Sequence, residues 1–223
     1  MLGQMDAENK PIGRRLFLSL SAVGVGTLLF GHAFSGGDED GSSGLVGELF
    51  GQGGFRIYTV APIPKFDPAA WRLVVGGMAA RTLEFTYDQL LALPSVTQTG
   101  TFHCVTGWSV PNLTWQGVSL ASVLAMVEPR SEAQGVLFTS ADGAYTDALS
   151  LEQAHAPDVL LAYSMNGKPL PLNQGMPLRL LVPEMFGYKS VKWLNKIELA
   201  LKPVEGYWEV RGYDVDAYID KRS

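Results

Sequence analysis

A single cysteine, Cys104, stands in 223 residues, so the chain builds no internal disulfide framework, no Cys-x-x-Cys metal site and no haem attachment motif. Histidine is almost as scarce. His32, His103 and His155 are scattered and show none of the spacing that a zinc site requires. Basic charge is in short supply too: 17 Lys and Arg stand against 22 Asp and Glu, a formal charge of −5. That balance argues against binding along a phosphate backbone, and no nucleic-acid partner is expected. Nothing repeats at a period that would make a solenoid or a propeller. What remains is 47% hydrophobic and 17% charged, an ordinary globular composition with length for one sizeable core plus an extension.

The extension is N-terminal. Arg14 and Arg15 lie directly ahead of Leu16-Phe17-Leu18, an apolar stretch with Ser, Gly and Thr mixed in covers residues 16–34, and a Gly/Ser/acidic linker covers residues 35–44. Paired arginines before a modest hydrophobic stretch form the pattern of a twin-arginine export signal, with a Sec signal or anchor helix as the competing reading. No clean Ala-x-Ala site follows, and the stretch is near the length that spans a bilayer, so it also suits a retained anchor. Residues 1–44 are expected to be signal or membrane anchor plus linker. Residues 45–223 are expected to form one domain delivered across the cytoplasmic membrane by the twin-arginine machinery.

Within that domain short strands dominate. Residues 55–60 alternate well enough for a strand that Pro62 and Pro64 end. Residues 71–75 read as a strand leading into a turn at Gly76-Gly77. Thr86 caps a short helix to Leu91, which Pro94 stops. A β-branched run from Val96 leads to Cys104. Ser119 caps residues 120–127, where Leu120, Val123, Leu124 and Val127 share one helical face. Residues 136–140 and 145–149 flank Ala141-Asp142-Gly143-Ala144, a hairpin signature. Ser150 with Gln153 makes a capping box. Residues 159–165 end in Asn166-Gly167, residues 178–182 form an apolar strand, Gly187 breaks into residues 189–194, and residues 197–201 form another strand. The Tyr- and Trp-rich tail, residues 206–218, is expected to pack over the core. The fold class is α+β in a single domain, with mixed or antiparallel sheets and a few short helices.

Two stretches carry chemistry. The first is Thr101-Phe102-His103-Cys104-Val105-Thr106-Gly107-Trp108, a thiol at the end of a strand where the chain turns into a loop. A thiolate there serves as a nucleophile or as a soft metal ligand, whereas a thiol buried among hydrocarbon would be inert. The second runs Gly175-Met176-Pro177-Leu178-Arg179-Leu180-Leu181-Val182-Pro183 and then Gly187-Tyr188-Lys189-Ser190-Val191-Lys192-Trp193. An arginine inside a Leu/Val strand needs an anionic partner. Beside it come a serine hydroxyl and two lysines, a set of donors that suits a phosphate. The competing reading pairs Arg179 with Glu184 and leaves the lysines solvated.

Taken together, Phe-His-Cys-Val-Thr-Gly-Trp-Ser upstream and the two glycine-led stretches downstream resemble the sulfite-oxidase-type molybdopterin enzymes. Within them the chain is most similar to the exported bacterial branch that includes periplasmic methionine-sulfoxide reductase. The resemblance spans residues 55–201. It implies a molybdopterin-binding domain in which Cys104 is the thiolate ligand of molybdenum in a Mo-molybdopterin cofactor. It further implies that Arg179 and Ser190-Val191-Lys192 contact pterin and phosphate, that Gln174 and Thr139 are polar contacts on the cofactor, and that Arg56, Tyr58 and Thr59 belong to an N-terminal strand covering the pterin. The implied activity is two-electron oxygen-atom transfer on a small substrate, a sulfoxide or a sulfite-like anion. With no haem motif in the chain, electrons would pass to a separate partner, a membrane haem protein or quinone-linked subunit.

The chain also departs from the family. Sulfite oxidases carry an arginine shortly after the cysteine, and here that region reads Val105-Thr106-Gly107-Trp108-Ser109, which puts sulfite as substrate in question. Two rival readings stand beside the resemblance. One is a non-catalytic binding protein on the same fold. The other is a Cys-nucleophile hydrolase, for which His103 is badly placed because neighbours on a strand point to opposite faces.

Overall fold

Two five-stranded sheets carry the computed structural model, which describes residues 54–219. In the first sheet β2 (Leu83–Phe85), β1 (Leu73–Gly77), β10 (Leu194–Ala200), β5 (Gly135–Ser140) and β6 (Thr146–Ser150) lie side by side in that order. The second holds β3 (Ser95–His103), β4 (Ser109–Ser119), β7 (Leu160–Met165) and β8 (Lys168–Pro169), with β9 (Arg179–Leu181) also on β7. All these pairings are antiparallel except β1 with β10, which run parallel from Val74 opposite Lys196 to Gly77 opposite Leu199. The fold class is α+β with one mixed and one antiparallel sheet, as the short alternating runs imply.

The helices are short and begin where the sequence signals them. Thr86 opens α1 (Tyr87–Leu91): its hydroxyl accepts the Gln89 N–H, and the Gln89 side chain accepts the Thr86 N–H. Ser150 and Gln153 make the same reciprocal pair at α3 (Leu151–Ala154). Such caps satisfy N–H groups that the first turn leaves without partners. Ser119 accepts from the Ser122 N–H at the start of α2 (Leu120–Met126), whose Leu120, Val123 and Leu124 are fully buried. That face joins Leu73, Val75, Phe138, Leu161 and Ile197 in the larger core. A smaller core inside the second sheet gathers Phe55, Leu113, Trp115, Leu160, Leu170 and Leu181.

Three boundaries differ from expectation. Residues 55–60 form no strand; they run as irregular chain. Phe55 is buried and Ile57 half-buried against the smaller core, so the alternation records one buried face rather than a hydrogen-bonded ladder. Gly76 and Gly77 do not turn but continue β1 opposite Glu198 and Leu199. Strand β10 starts at Leu194, and Leu201, expected inside it, is 65% exposed just beyond its end. The arginine pair and apolar stretch of residues 14–34 lie outside the described residues. Among the described residues no helix is long and apolar enough to cross a membrane.

The seam between β4 and β7 has no room to spare. The register shifts between Gln116 and Gly117, and a Cβ on Gly117 would sit 2.3 Å from the Leu161 carbonyl oxygen and 2.7 Å from the Ala162 Cα. Both are backbone atoms, so the strand would have to move. Gly117→Ala is expected to lower stability by about 2–3 kcal/mol, the scale of an overpacked core site, as read by chemical denaturation. A loss under about 0.5 kcal/mol, the scale of a free surface change, would show that the seam yields easily.

Candidate functional site

Strands β3 and β4 meet in a tight connection, and Cys104 is at its start. The Cys104 N–H donates to the Trp108 carbonyl at 2.9 Å, and the Gly107 N–H donates back to the Cys104 carbonyl at 3.0 Å. Gly107 takes φ 91°, a conformation that glycine adopts without a Cβ penalty. The thiol is partly exposed and lines a cavity. Its Sγ lies 3.2 Å from the Thr106 hydroxyl, at hydrogen-bond distance.

Across the same cavity lie Arg179 and Lys192. Arg179 leaves strand β9 into a space lined by rings: its guanidinium carbon is 5.3 Å from the Phe102 ring centre and 5.2 Å from that of Trp115. One terminal nitrogen donates to the Gln174 backbone and side-chain oxygens, both at 3.2 Å, and the other donates to the Ser190 carbonyl at 3.3 Å. Burial pulls the Arg179 guanidinium down to about 10. Lys192 donates to the Tyr58 carbonyl at 2.7 Å and lies 4.4 Å from the Trp193 ring centre. Burial, with the Arg179 charge beside it, pulls the Lys192 ammonium down to about 7. Among the described residues neither cation has a carboxylate at ion-pair distance. Glu184 does not pair with Arg179.

Arg56, Tyr58, Thr59, Gln174 and Ser190 join Cys104, Arg179 and Lys192 in lining this one cavity. Two residues singled out from sequence do not. Thr139 sits in β5 one residue before Ser140, and it is Ser140 that reaches the cavity; in a pleated strand a shift of one residue changes the face. Val191 is fully buried in the larger core, where its carbonyl accepts the Leu180 N–H. Sequence reasoning in turn passed over Asp142, Trp108, Tyr188, Trp208 and Tyr213, all of which line the cavity. Asp142 was visible only as a turn former, and its Oδ1 does accept the N–H groups of Ala144 and Tyr145.

The cavity holds polar groups that the protein itself leaves unanswered. Gln174 Nε2, Arg179 Nε, Trp108 Nε1 and Asp142 Oδ2 are buried and lack a hydrogen-bond partner among the described residues. An orphaned buried donor or acceptor costs about 1–3 kcal/mol, so such a cluster marks a surface shaped for a ligand. The set is one soft thiol, two cations with no carboxylate at ion-pair distance among the described residues, two neutral donors and the Asp142 carboxylate oxygen as acceptor. It fits an anionic organic cofactor that carries a metal and hydrogen-bonding ring edges. A thiol–histidine pair is not formed, because neither His103 nor His155 lines the cavity. His103 Nδ1 is bonded to the Ser109 hydroxyl at 2.9 Å, and His155 Nδ1 to the Leu151 carbonyl at 2.7 Å.

Comparisons with known proteins bear on this fit. A family model described as "Oxidoreductase molybdopterin binding domain" matches residues 60–208. An uncharacterized oxidoreductase YuiH of Bacillus subtilis is 32% identical over 160 residues, which cover 71% of this chain and 80% of that protein. The protein-methionine-sulfoxide reductase catalytic subunit MsrP of Xanthomonas axonopodis is 35% identical over 159 residues, covering 65% of this chain and 48% of that one. Among solved structures, the sulfane dehydrogenase SoxCD of Paracoccus pantotrophus matches with a TM-score of 0.60 and 26% identity, over 64% of this chain and 41% of that one. The chain thus spans less than half the length of the latter two. By both its motifs and its fold, the chain belongs to the oxidoreductase molybdopterin-binding domain family.

Proposed function

We propose that this chain is an exported molybdopterin-dependent oxidoreductase that catalyses two-electron oxygen-atom transfer on a small substrate and exchanges electrons with a separate redox partner. The observation that carries the reading is the solitary thiol facing, across one cavity, two cations that have no carboxylate of their own. When bound, the cofactor would supply a redox metal held by dithiolene sulfurs, which carries the two-electron chemistry. The protein's residues would do the holding. Cys104 would give the metal its protein thiolate, with the Thr106 hydroxyl steadying the sulfur. Arg179 and Lys192 would neutralise the anionic end, and the Ser190 carbonyl and the Gln174 oxygens keep the Arg179 fork aimed. Gln174 Nε2, Trp108 Nε1 and Asp142 Oδ2 would meet the ring edges. Arg56, Tyr58 and Thr59 would close one wall as covering chain rather than as a strand.

The surroundings of the thiol favour a neutral substrate. Val105, Trp108, Phe55 and Ile57 line the cavity, and the loop after Cys104 carries no arginine. A sulfoxide-type oxygen donor is therefore the preferred substrate class over a sulfite-like anion. The electron partner would be a membrane haem protein or quinone-linked subunit, and residues 1–44 would direct export while residues 45–223 form the domain. Replacing Arg14 and Arg15 together by lysine should leave the protein in the cytoplasm, as scored by cell fractionation; unchanged export would remove the twin-arginine reading.

Two further outcomes test the pocket itself. Protein from a host that makes the cofactor should contain stoichiometric molybdenum and reduce sulfoxides with an artificial electron donor. Cys104→Ser should abolish that turnover, since a serine hydroxyl is a poor substitute for a soft thiolate ligand, while its melting profile is kept; retained turnover would remove the ligand role. The second outcome concerns charge. Burial beside Arg179 brings the Lys192 ammonium down to about 7, and a bound anion would restore its proton above that pH. Affinity for sulfate, which does not titrate in this range, should therefore be greatest below pH 7 and fall by up to about tenfold per pH unit above it. Calorimetry should show proton uptake on binding at pH 8, and Lys192→Met should flatten the dependence.

A further inference from the structure

After β10 the chain runs on as residues 201–219 and joins neither sheet. Its ties to the body run along its whole length, and they include the stacking of Tyr207 on Tyr145 and the edge contact of Tyr213 with Tyr188. The Tyr207 N–H donates to the Thr146 carbonyl at 2.9 Å, the Tyr188 hydroxyl donates to the Asp214 carbonyl at 2.6 Å, and the Phe186 N–H donates to the Ala217 carbonyl at 2.9 Å. Trp208 and Tyr213 from this tail line the cavity that holds Cys104, Arg179 and Lys192. Between them, in the 3-10 turn Glu209–Arg211, Glu209 turns inward and is 5% exposed.

Glu209 ends in a buried ion cluster that the proposed chemistry does not use. Lys189 Nζ lies 2.5 Å from Asp147 Oδ1, 2.7 Å from Glu209 Oε1 and 2.8 Å from the Ala148 carbonyl. An ammonium has three protons, and here each has one acceptor. The three charges come from three elements: Asp147 from β6, Lys189 from the residue just before Ser190, and Glu209 from the tail. Burial, with Glu209 beside it, pushes the Asp147 carboxyl up, and Lys189 pulls it back. Hydrocarbon in such a place usually stabilises a fold as well or better. What an ion cluster adds is a contact that forms in one arrangement and is lost in any other.

We propose that residues 206–213 are a clasp that closes behind the bound cofactor, and that Lys189, held between Asp147 and Glu209, is its latch. This rests on the molybdopterin reading above. The latch joins the segment that carries two rings of the pocket wall to the loop that carries Ser190 and Lys192. Closing the tail and fixing that loop are thus one event. Gly206 is the pivot. It lies so close to the body that a Cβ there would be 2.5 Å from the Thr146 carbonyl oxygen and 2.7 Å from the Asp147 Cα. A Cβ there would also sit 2.8 Å from Glu209 Oε2, so a side chain at 206 displaces the pivot and crowds the latch while keeping all three charged groups.

The test uses holoenzyme and two variants that break the clasp differently. Glu209→Ala removes the tail's carboxylate and leaves Lys189 paired with Asp147; Gly206→Ala keeps every charge and displaces the pivot. Two rates are followed: release of pterin, by the fluorescence of its oxidised form, and tryptic cleavage after Arg211, which is exposed in the tail. Both rates should rise at least about tenfold in both variants, the scale of losing one charge-assisted buried hydrogen bond, and Glu209→Gln should restore most of the wild-type behaviour. If the wild type carries pterin and both alanine variants release it no faster, the clasp is overturned and the cofactor reading stands. If tryptic cleavage accelerates while pterin release does not, the tail is loose but gates nothing, and the clasp is again overturned. Wild-type protein devoid of pterin would overturn the cofactor reading and the clasp with it.

Discussion

An arginine shut away from water without a carboxylate is the constraint on which the rest of the pocket depends. Arg179 is 2% exposed, and among the described residues its charge meets only carbonyl oxygens and the faces of Phe102 and Trp115. Such contacts orient a guanidinium, but they do not neutralise it. Lys192 repeats the problem a short way along the chain and responds by giving up its proton near neutrality. A bound anion would relieve both groups at once. The pocket is an electrostatic mould, and the family's anionic cofactor has the charge to fill it.

The thiol end is keyed to the cationic end through one ring. Phe102 lies two residues before Cys104 on β3, stacks on Arg179, and lies within 5.3 Å of Phe55 by ring centre. Its tip also fills the space where a side chain on Gly187 would be, only 2.1 Å from that position. Gly187 begins the 3-10 turn that leads to Ser190 and Lys192. An aromatic wedge thus packs between the thiol-bearing strand and the loop that carries Ser190 and Lys192. This is how two motifs more than seventy residues apart act as a single site.

Much of this was legible in the residues, and the part that was not has a common cause. The caps at Thr86, Ser119 and Ser150 and the turn after Ser140 depend on chemistry within four residues, and they form as their side chains dictate. Cys104, Gln174, Arg179, Ser190 and Lys192 share a cavity as the paired motifs imply. Thr139 against Ser140 is a matter of pleat phase, which a short strand of Gly-Val-Leu-Phe-Thr-Ser does not reveal when most of its positions are buried. Residues 55–60 have the alternation of a strand but lack a neighbouring edge, and no local pattern shows whether an edge is present. The buried pairing of Lys189 is hidden for the same reason: Asp147 and Glu209 approach it from 42 and 20 residues away along the chain.

The parallel pairing of β1 with β10 has a consequence for how the molecule comes to exist. Val74 finds its partner at Lys196, so the middle of the first sheet stays open until nearly the whole described chain has left the ribosome. Contacts between such distant segments form late, because the entropy of closing the long loop must be overcome before the ladder gives anything back. Leu194 of the same late strand carries the N–H that donates to the Leu178 carbonyl beside Arg179. The cavity is consequently a post-translational object: a nascent chain offers no place for a prosthetic group, and loading has to wait for a finished polypeptide.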